Sequence, residues 1–274
     1  MNPMIRKELR QRMRERRAWL LPSLYLGVLG GAVALAYYFQ TEDILGIGRR
    51  ELQGAQIGVT VFETVVFTQM ALLLLMAPVF SAGSLTIEKE QRTLAGLLTS
   101  LLTPAQIWCG KFIAALLFLV LLLVSALPIL SLPFALGGVG PREAVIAAGI
   151  TPLVLASLSS VGLYCSSFFR RSVHATAVSY AIVIALTVLT AVAFLILESR
   201  WQTSHAASQA TVEPPGYIRA TLYLNPFFPL LAIFAEAEQR HFRDWATSLI
   251  FFAALGCLAT ILAARNLKHA GEQV

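Results

Sequence analysis

The sequence predicts an all-α integral membrane protein with six transmembrane helices, and three observations carry that prediction. Of its 274 residues, 57% are apolar and only 13% are charged, a balance far from that of soluble domains. The apolar residues gather into runs of about 20 or more, long enough for a helix rising 1.5 Å per residue to cross ~30 Å of hydrocarbon. The charges collect in the gaps, and Lys and Arg favour alternate gaps. Three further pieces complete the expected fold: an N-terminal amphipathic interfacial helix, a cytoplasmic helix between spans 2 and 3, and a re-entrant half-helix before span 6. The whole chain, residues 1–274, reads as one domain.

Residues 4–17 hold seven of the 21 Lys and Arg, with Ile5, Leu9 and Met13 four apart on one helical face. This is the pattern of a basic helix lying on an anionic leaflet. The first span, about 19–39, contains an Ala34-Leu35-Ala36 that mimics a signal-cleavage site. Its length exceeds the ~7 to 15 residues of a signal core, so it is expected to be retained. Gly27 and Gly31 permit close helix contact there. A polar connection over 40–58 precedes the second span, 59–80. Glu63 lies one turn inside that span, where it reads either as an interfacial carboxylate or as a pathway site.

The third span, 112–136, carries Pro128 and Pro133, which should kink or break it near its far end. After the link 137–143, the fourth span, 144–169, has small residues at four-residue spacing, Ala156/Ser160 and Gly162/Ser166. Span 5 is expected at 175–197, followed by an exposed loop over 198–219. The apolar stretch 222–235 is too short to cross a bilayer. It opens with Asn225 and Pro226, a cap and first turn, and fits a re-entrant segment that makes these two residues candidates for a pathway or interface. Span 6 follows at 245–264.

Between spans 2 and 3 lies a polar interruption, the elbow, over 84–104. A charged cluster of Glu88, Lys89, Glu90 and Arg92 leads through Thr93 into Leu94, Leu97, Leu98, Leu101 and Leu102, which recur at helical spacing. Thr103, Pro104 and Gln106 then read as N-cap, first helical residue and capping-box partner of the next helix. The Glu-x-Glu-x-x-Thr run of Glu88, Glu90 and Thr93, the leucines, Thr103-Pro104 and Gly110-Lys111 together resemble the cytoplasmic elbow of ABC exporter permeases of the type-2 class. The likeness is sharp over about thirty residues; elsewhere it rests on hydropathy and segment order.

That resemblance implies that the elbow docks on a separate ABC ATPase subunit and acts as a coupling helix. Glu88, Glu90, Arg92 and Thr93 would make polar contacts to the ATPase, with Leu94, Leu97, Leu98 and Leu101 seating the helix. It also implies a second permease chain, identical or related, paired with this one. No cofactor is expected in this chain: no GxxxxGK[ST] phosphate loop occurs, so ATP and Mg would sit on the partner. Nor is there an HExxH or a GxSxG, and His174, His205, His241 and His269 stand isolated. Cys109, Cys165 and Cys257 have no metal or disulfide spacing.

With six spans and both termini inside, the inner segments hold 14 Lys and Arg and the outer ones seven. This bias predicts a multi-pass protein of a bacterial-type cytoplasmic (inner) membrane, with the elbow and both termini cytoplasmic. The same placement ties the net charge of +6 to membrane lipid and excludes a nucleic-acid partner. The expected function is thus the permease subunit of an ABC exporter. The alternatives are an ion-gradient transporter, which needs ionisable groups near the midplane, and a membrane enzyme or scaffold subunit. The outer loops offer no domain for a protein cargo, which favours a lipid, a small hydrophobic compound, an ion or a short peptide.

Overall fold

The computed structural model describes residues 17–42, 50–93, 96, 103–137, 139–205, 215–234 and 242–271. The expected interfacial helix 4–17 lies outside them except for Arg17, as do Leu94, Leu97, Leu98, Leu101 and Leu102. The described residues form helices α1 (Arg17–Glu42), α2 (Arg50–Ser81), α3 (Thr86–Glu90), α4 (Pro104–Ser125), α5 (Leu127–Leu136), α6 (Pro141–Phe168) and α7 (Ser172–Ile184). A π-turn, Ala185–Leu189, joins α7 to α8 (Thr190–His205), and α9 (Gly216–Tyr223), α10 (Phe228–Phe234) and α11 (Phe242–Gly271) complete the order. Six helical stretches among them are long and apolar enough to cross a membrane.

Several boundaries differ from the sequence reading. The connection over 40–58 is already helical from Arg50, because Glu51, Gln53 and Gln56 are good helix formers and adding residues to an existing helix costs little. For the same reason α8 runs on through Glu198 and Gln202 to His205, where an exposed loop was expected. Pro141 opens α6 three residues early, in the first-turn position where its missing N–H costs nothing. The third span does break as its prolines require: α4 stops at Ser125, Ala126 turns, and Pro128 stands in the first turn of α5.

The core is built around α6. Its buried face, from Ala147 through Val154, Leu155 and Leu158 to Cys165, meets α2 on one side and α11 on the other. Small residues allow this closeness. A Cβ on Gly162 would overlap the Ser81 hydroxyl of α2, and one on Gly256 of α11 would lie 3.0 Å from the Ser157 Cα. At the other end, a Cβ on Gly58 would overlap the carbonyl oxygen of Gly137, whose φ of +84° is one that glycine adopts freely.

Helix α1 lies at the periphery and reaches the core through Tyr25 and Leu29, while Trp19, Leu24, Leu35 and Phe39 face outward. The short helices α9 and α10 form a hairpin about the turn 224–227. Phe227 contacts Phe67 of α2, and Phe234, at the end of α10, contacts both Phe62 and Phe67.

Candidate functional site

The elbow begins where α2 ends at Ser81. Ala82 and Leu85 have no exposed surface; Leu85 is buried with Ile107, Trp108, Leu163 and Ala263, and Ala82 with Val161, Cys165, Ala175 and Ala259. Apolar burial thus seats the turn among α4, α6, α7 and α11 before any polar contact is made. Helix α3 follows, one and a half turns long. It closes with Arg92 in the left-handed region, φ 57°, the Thr93 N–H bonding the Glu88 carbonyl at 3.0 Å and the Arg92 N–H bonding that of Lys89 at 3.2 Å. This is the Schellman arrangement, with arginine where glycine is usual.

The charged residues of this short helix address three other elements. Lys111, at the start of the third span, is 1% exposed and donates to the Ser84 carbonyl at 2.8 Å and to the Glu88 carboxylate at 3.4 Å. The Thr93 hydroxyl donates to the same carboxylate, so Glu88 ties the helix's end to α4. Lys89 donates to the carbonyls of Ser166, Ser167 and Phe169 at 3.0, 2.5 and 2.9 Å, satisfying the open end of α6. The Ser166 hydroxyl answers by accepting the Leu85 and Thr86 N–H groups at 2.9 and 3.0 Å. Glu90 accepts from the Ser172 N–H at 2.6 Å and from its hydroxyl at 2.9 Å, at the open start of α7.

These groups lie past the end of α2 at Ser81, and their surroundings set their charge. Burial, with Arg170 nearby, lowers Lys89 to about 8. It therefore remains an ammonium near neutrality, the form its three carbonyl acceptors require. The Ser172 N–H and hydroxyl, with Arg171 behind them, hold the Glu90 carboxyl below its ordinary value although it is exposed. A carboxylate whose pKa is lower folded than unfolded stabilises the fold above the unfolded value, and this is lost as pH falls through the folded one. A spin label at position 174, in a cysteine-free background, should stay immobile through the ordinary carboxylate range near pH 4.3 and gain mobility only below it. With Glu90→Ala it should be mobile throughout. Mobilisation at the ordinary carboxylate pH, or no effect of the substitution, would refute the clamp.

The capping box stands as the sequence indicates. The Thr103 hydroxyl accepts the Gln106 N–H at 3.3 Å and the Gln106 side chain accepts the Thr103 N–H at 3.0 Å, with Pro104 in the first turn. Of the elbow leucine stretch only Gly96 is described, as helical and exposed. Glu63 is half-buried on α2, about 27 Å up the helix from Ser81 and apart from the elbow. Asn225 and Pro226 form the turn between α9 and α10, also remote from it. Sequence reasoning missed Ser172 altogether, took Ser166 only as a small residue for helix packing, and used Lys89 and Lys111 only as topology charges or family markers. Their partners lie 23 to 82 positions away, and no periodic pattern encodes such pairings.

Fold and site together define an all-helical, multi-pass membrane protein whose spans are gathered on a small polar elbow between the second and third of them. Residues 3–265 match the family model described as ABC-2 family transporter protein, and the chain belongs to that family. It is accordingly a membrane permease component of an ABC transporter, from a family whose members generally lack enzymatic activity and work with an ABC ATPase partner. No curated protein matches the chain.

Proposed function

We propose that the chain is the permease subunit of an ATP-driven exporter, in which the elbow receives the stroke of a separate ATPase. The observation that carries this reading is the convergence of four spans on one short helix. Helix α2 leads into it, Lys111 ties it to the third span, Lys89 and Ser166 to the fourth, and Glu90 to the fifth. A displacement applied there moves the inner ends of all four spans together, as a rigid-body transition needs.

In this mechanism the leucines Leu94, Leu97, Leu98 and Leu101 seat on the ATPase. Closure of two ATPases around ATP pushes the elbows of two paired permease chains, and the central path between them changes access. Glu88, Glu90 and Thr93, each bonded within the chain, set the direction in which the chain leaves α3 toward the leucines and their partner. Arg92, exposed at the turn, supplies a contact. The elbow faces the cytoplasm with both termini, and the α9–α10 hairpin dips into the outer half of the membrane.

The test is a mild-detergent pull-down of the tagged chain, followed by an ATPase assay on what co-purifies. A stoichiometric P-loop ATPase, lost on replacing Leu97 and Leu98 with Asp, supports the reading. Arg92→Gly gives a sharper arm, because glycine relaxes the left-handed turn while deleting the side chain. ATPase affinity should fall even though the turn is stabilised. A stable, ATPase-free protein that still transports would overturn the assignment.

A further inference from the structure

The fifth candidate span, Ser172–Ser204, has only 6% of its apolar window buried within the chain, so its few polar attachments decide where it stands. Near the elbow it is held by Glu90, and about two turns further along α7 the Tyr180 hydroxyl donates to the Leu75 carbonyl of α2 at 2.7 Å. Its regular helix then widens into the π-turn Ala185–Leu189, where the Thr190 N–H reaches back five residues to the Ala185 carbonyl. No glycine or proline lies in that turn. Instead the Thr187 hydroxyl bonds the Val183 carbonyl at 2.8 Å and the Thr190 hydroxyl the Leu186 carbonyl at 2.6 Å, the back-bonding that loosens and bends helices. Isolated π-turns recur at functional positions.

Asn225 meets this turn from the α9–α10 hairpin. It is 8% exposed, and its amide donates to the Thr187 carbonyl at 3.0 Å and to the Thr190 hydroxyl at 3.1 Å. Its own oxygen accepts the Phe227 N–H at 2.9 Å, which fixes both the hairpin turn and the direction in which the amide points. The hairpin is moored in its turn: the Ser248 hydroxyl of α11 donates to the Tyr223 carbonyl at 2.9 Å, and Phe227 contacts Phe67 of α2. The contact at Thr187 lies about 22 Å along the span from Ser172.

We propose that Asn225 is a positioning residue for transport, the latch that makes the π-turn a fixed joint in span 5. This rests on the elbow being the input of the stroke. With the latch closed, α8 stays with the hairpin while α7 follows Glu90, so the stroke becomes a bend at Ala185–Leu189 and not a sliding of the whole span.

The decisive variant is Asn225→Asp. It keeps the shape and the oxygen that accepts the Phe227 N–H, so the hairpin turn survives, but its carboxylate has no N–H for the Thr187 carbonyl. In the full chain reconstituted in lipid nanodiscs, hydrogen exchange of the amides over 189–191 should quicken about tenfold, with those over 85–93 unchanged. Asn225→Ala, which also loses the turn, should extend the faster exchange to the amides of Phe227, Phe228 and Leu230. Unchanged exchange at 189–191 in the aspartate variant would overturn the latch, whatever becomes of the exporter reading. With the ATPase partner added, the aspartate variant should hydrolyse ATP normally while substrate moved per ATP falls about tenfold. Undiminished transport per ATP would also overturn the proposal, whereas a wild-type chain that binds no ATPase would count against the elbow reading alone and leave the exchange result to decide the latch.

Discussion

Lys111→Met should lower the apparent unfolding midpoint of the purified chain more than any other single substitution in the elbow, and should release α3 from the third span. The ammonium is almost wholly buried, and its bonds to the Ser84 carbonyl and the Glu88 carboxylate join α4 to the elbow. Breaking a buried ion pair from one side costs about 3 to 5 kcal/mol, here by taking the ammonium from beside the Glu88 carboxylate and the donor from the Ser84 carbonyl. The Glu88 side chain keeps 16% of its surface exposed and a bond from Thr93, so the lower end, about 3 kcal/mol, applies. Adding Glu88→Gln should recover part of the loss, because a neutral amide depends less on the missing ammonium than a carboxylate does. A double-mutant cycle of the midpoints gives the coupling. A methionine variant that melts like the wild type would show the pair to be a bystander.

Lys89→Met has the second largest expected effect, and of a different kind. Three carbonyls at the end of α6 lose their donor together, and charge-assisted bonds of this type contribute about 1.5 to 3 kcal/mol where one group is ionised. The apolar seating of Leu85 and Ala82 is untouched, so the chain should still fold and, on the proposed exporter reading, still bind an ATPase partner. What should fail is transmission to the fourth and fifth spans: hydrogen exchange over 166–172 rises and transport per ATP falls, with ATPase association intact. Wild-type exchange over 166–172 would remove Lys89 from the clamp.

Much of this architecture was legible in the chain. The six apolar stretches follow from hydropathy, and the start of α4 follows from Thr103, Pro104 and Gln106, because capping is written in three adjacent residues. The break before Pro128 follows from a missing N–H. The polar starts and ends of helices were not legible: Arg50–Gln56 and Glu198–His205 look like loops by polarity, yet extend helices already nucleated within the spans. The destinations of Glu88, Lys89 and Glu90 were hidden for another reason. Their charges announce a site, but whether such a residue faces a partner or another helix of its own chain depends on tertiary placement. The π-turn was hidden as well, since only Thr187 and Thr190, two hydroxyls three apart, hint at it.

The adjacency of Lys89 and Glu90 carries one more consequence, which concerns chain direction. The turn 169–171 joins the carboxyl end of α6 to the amino end of α7. Aligned peptide dipoles leave the first partly negative and the second partly positive, roughly half a charge each. The elbow meets them with a cation and an anion in consecutive positions, each opposite the end of contrary sign. Reversing the order to Glu-Lys would keep composition, net charge and helix propensity while setting each side chain against an end of its own sign. The dyad is therefore a polarity key: it fits the fourth and fifth spans only when one arrives at the elbow and the other departs from it.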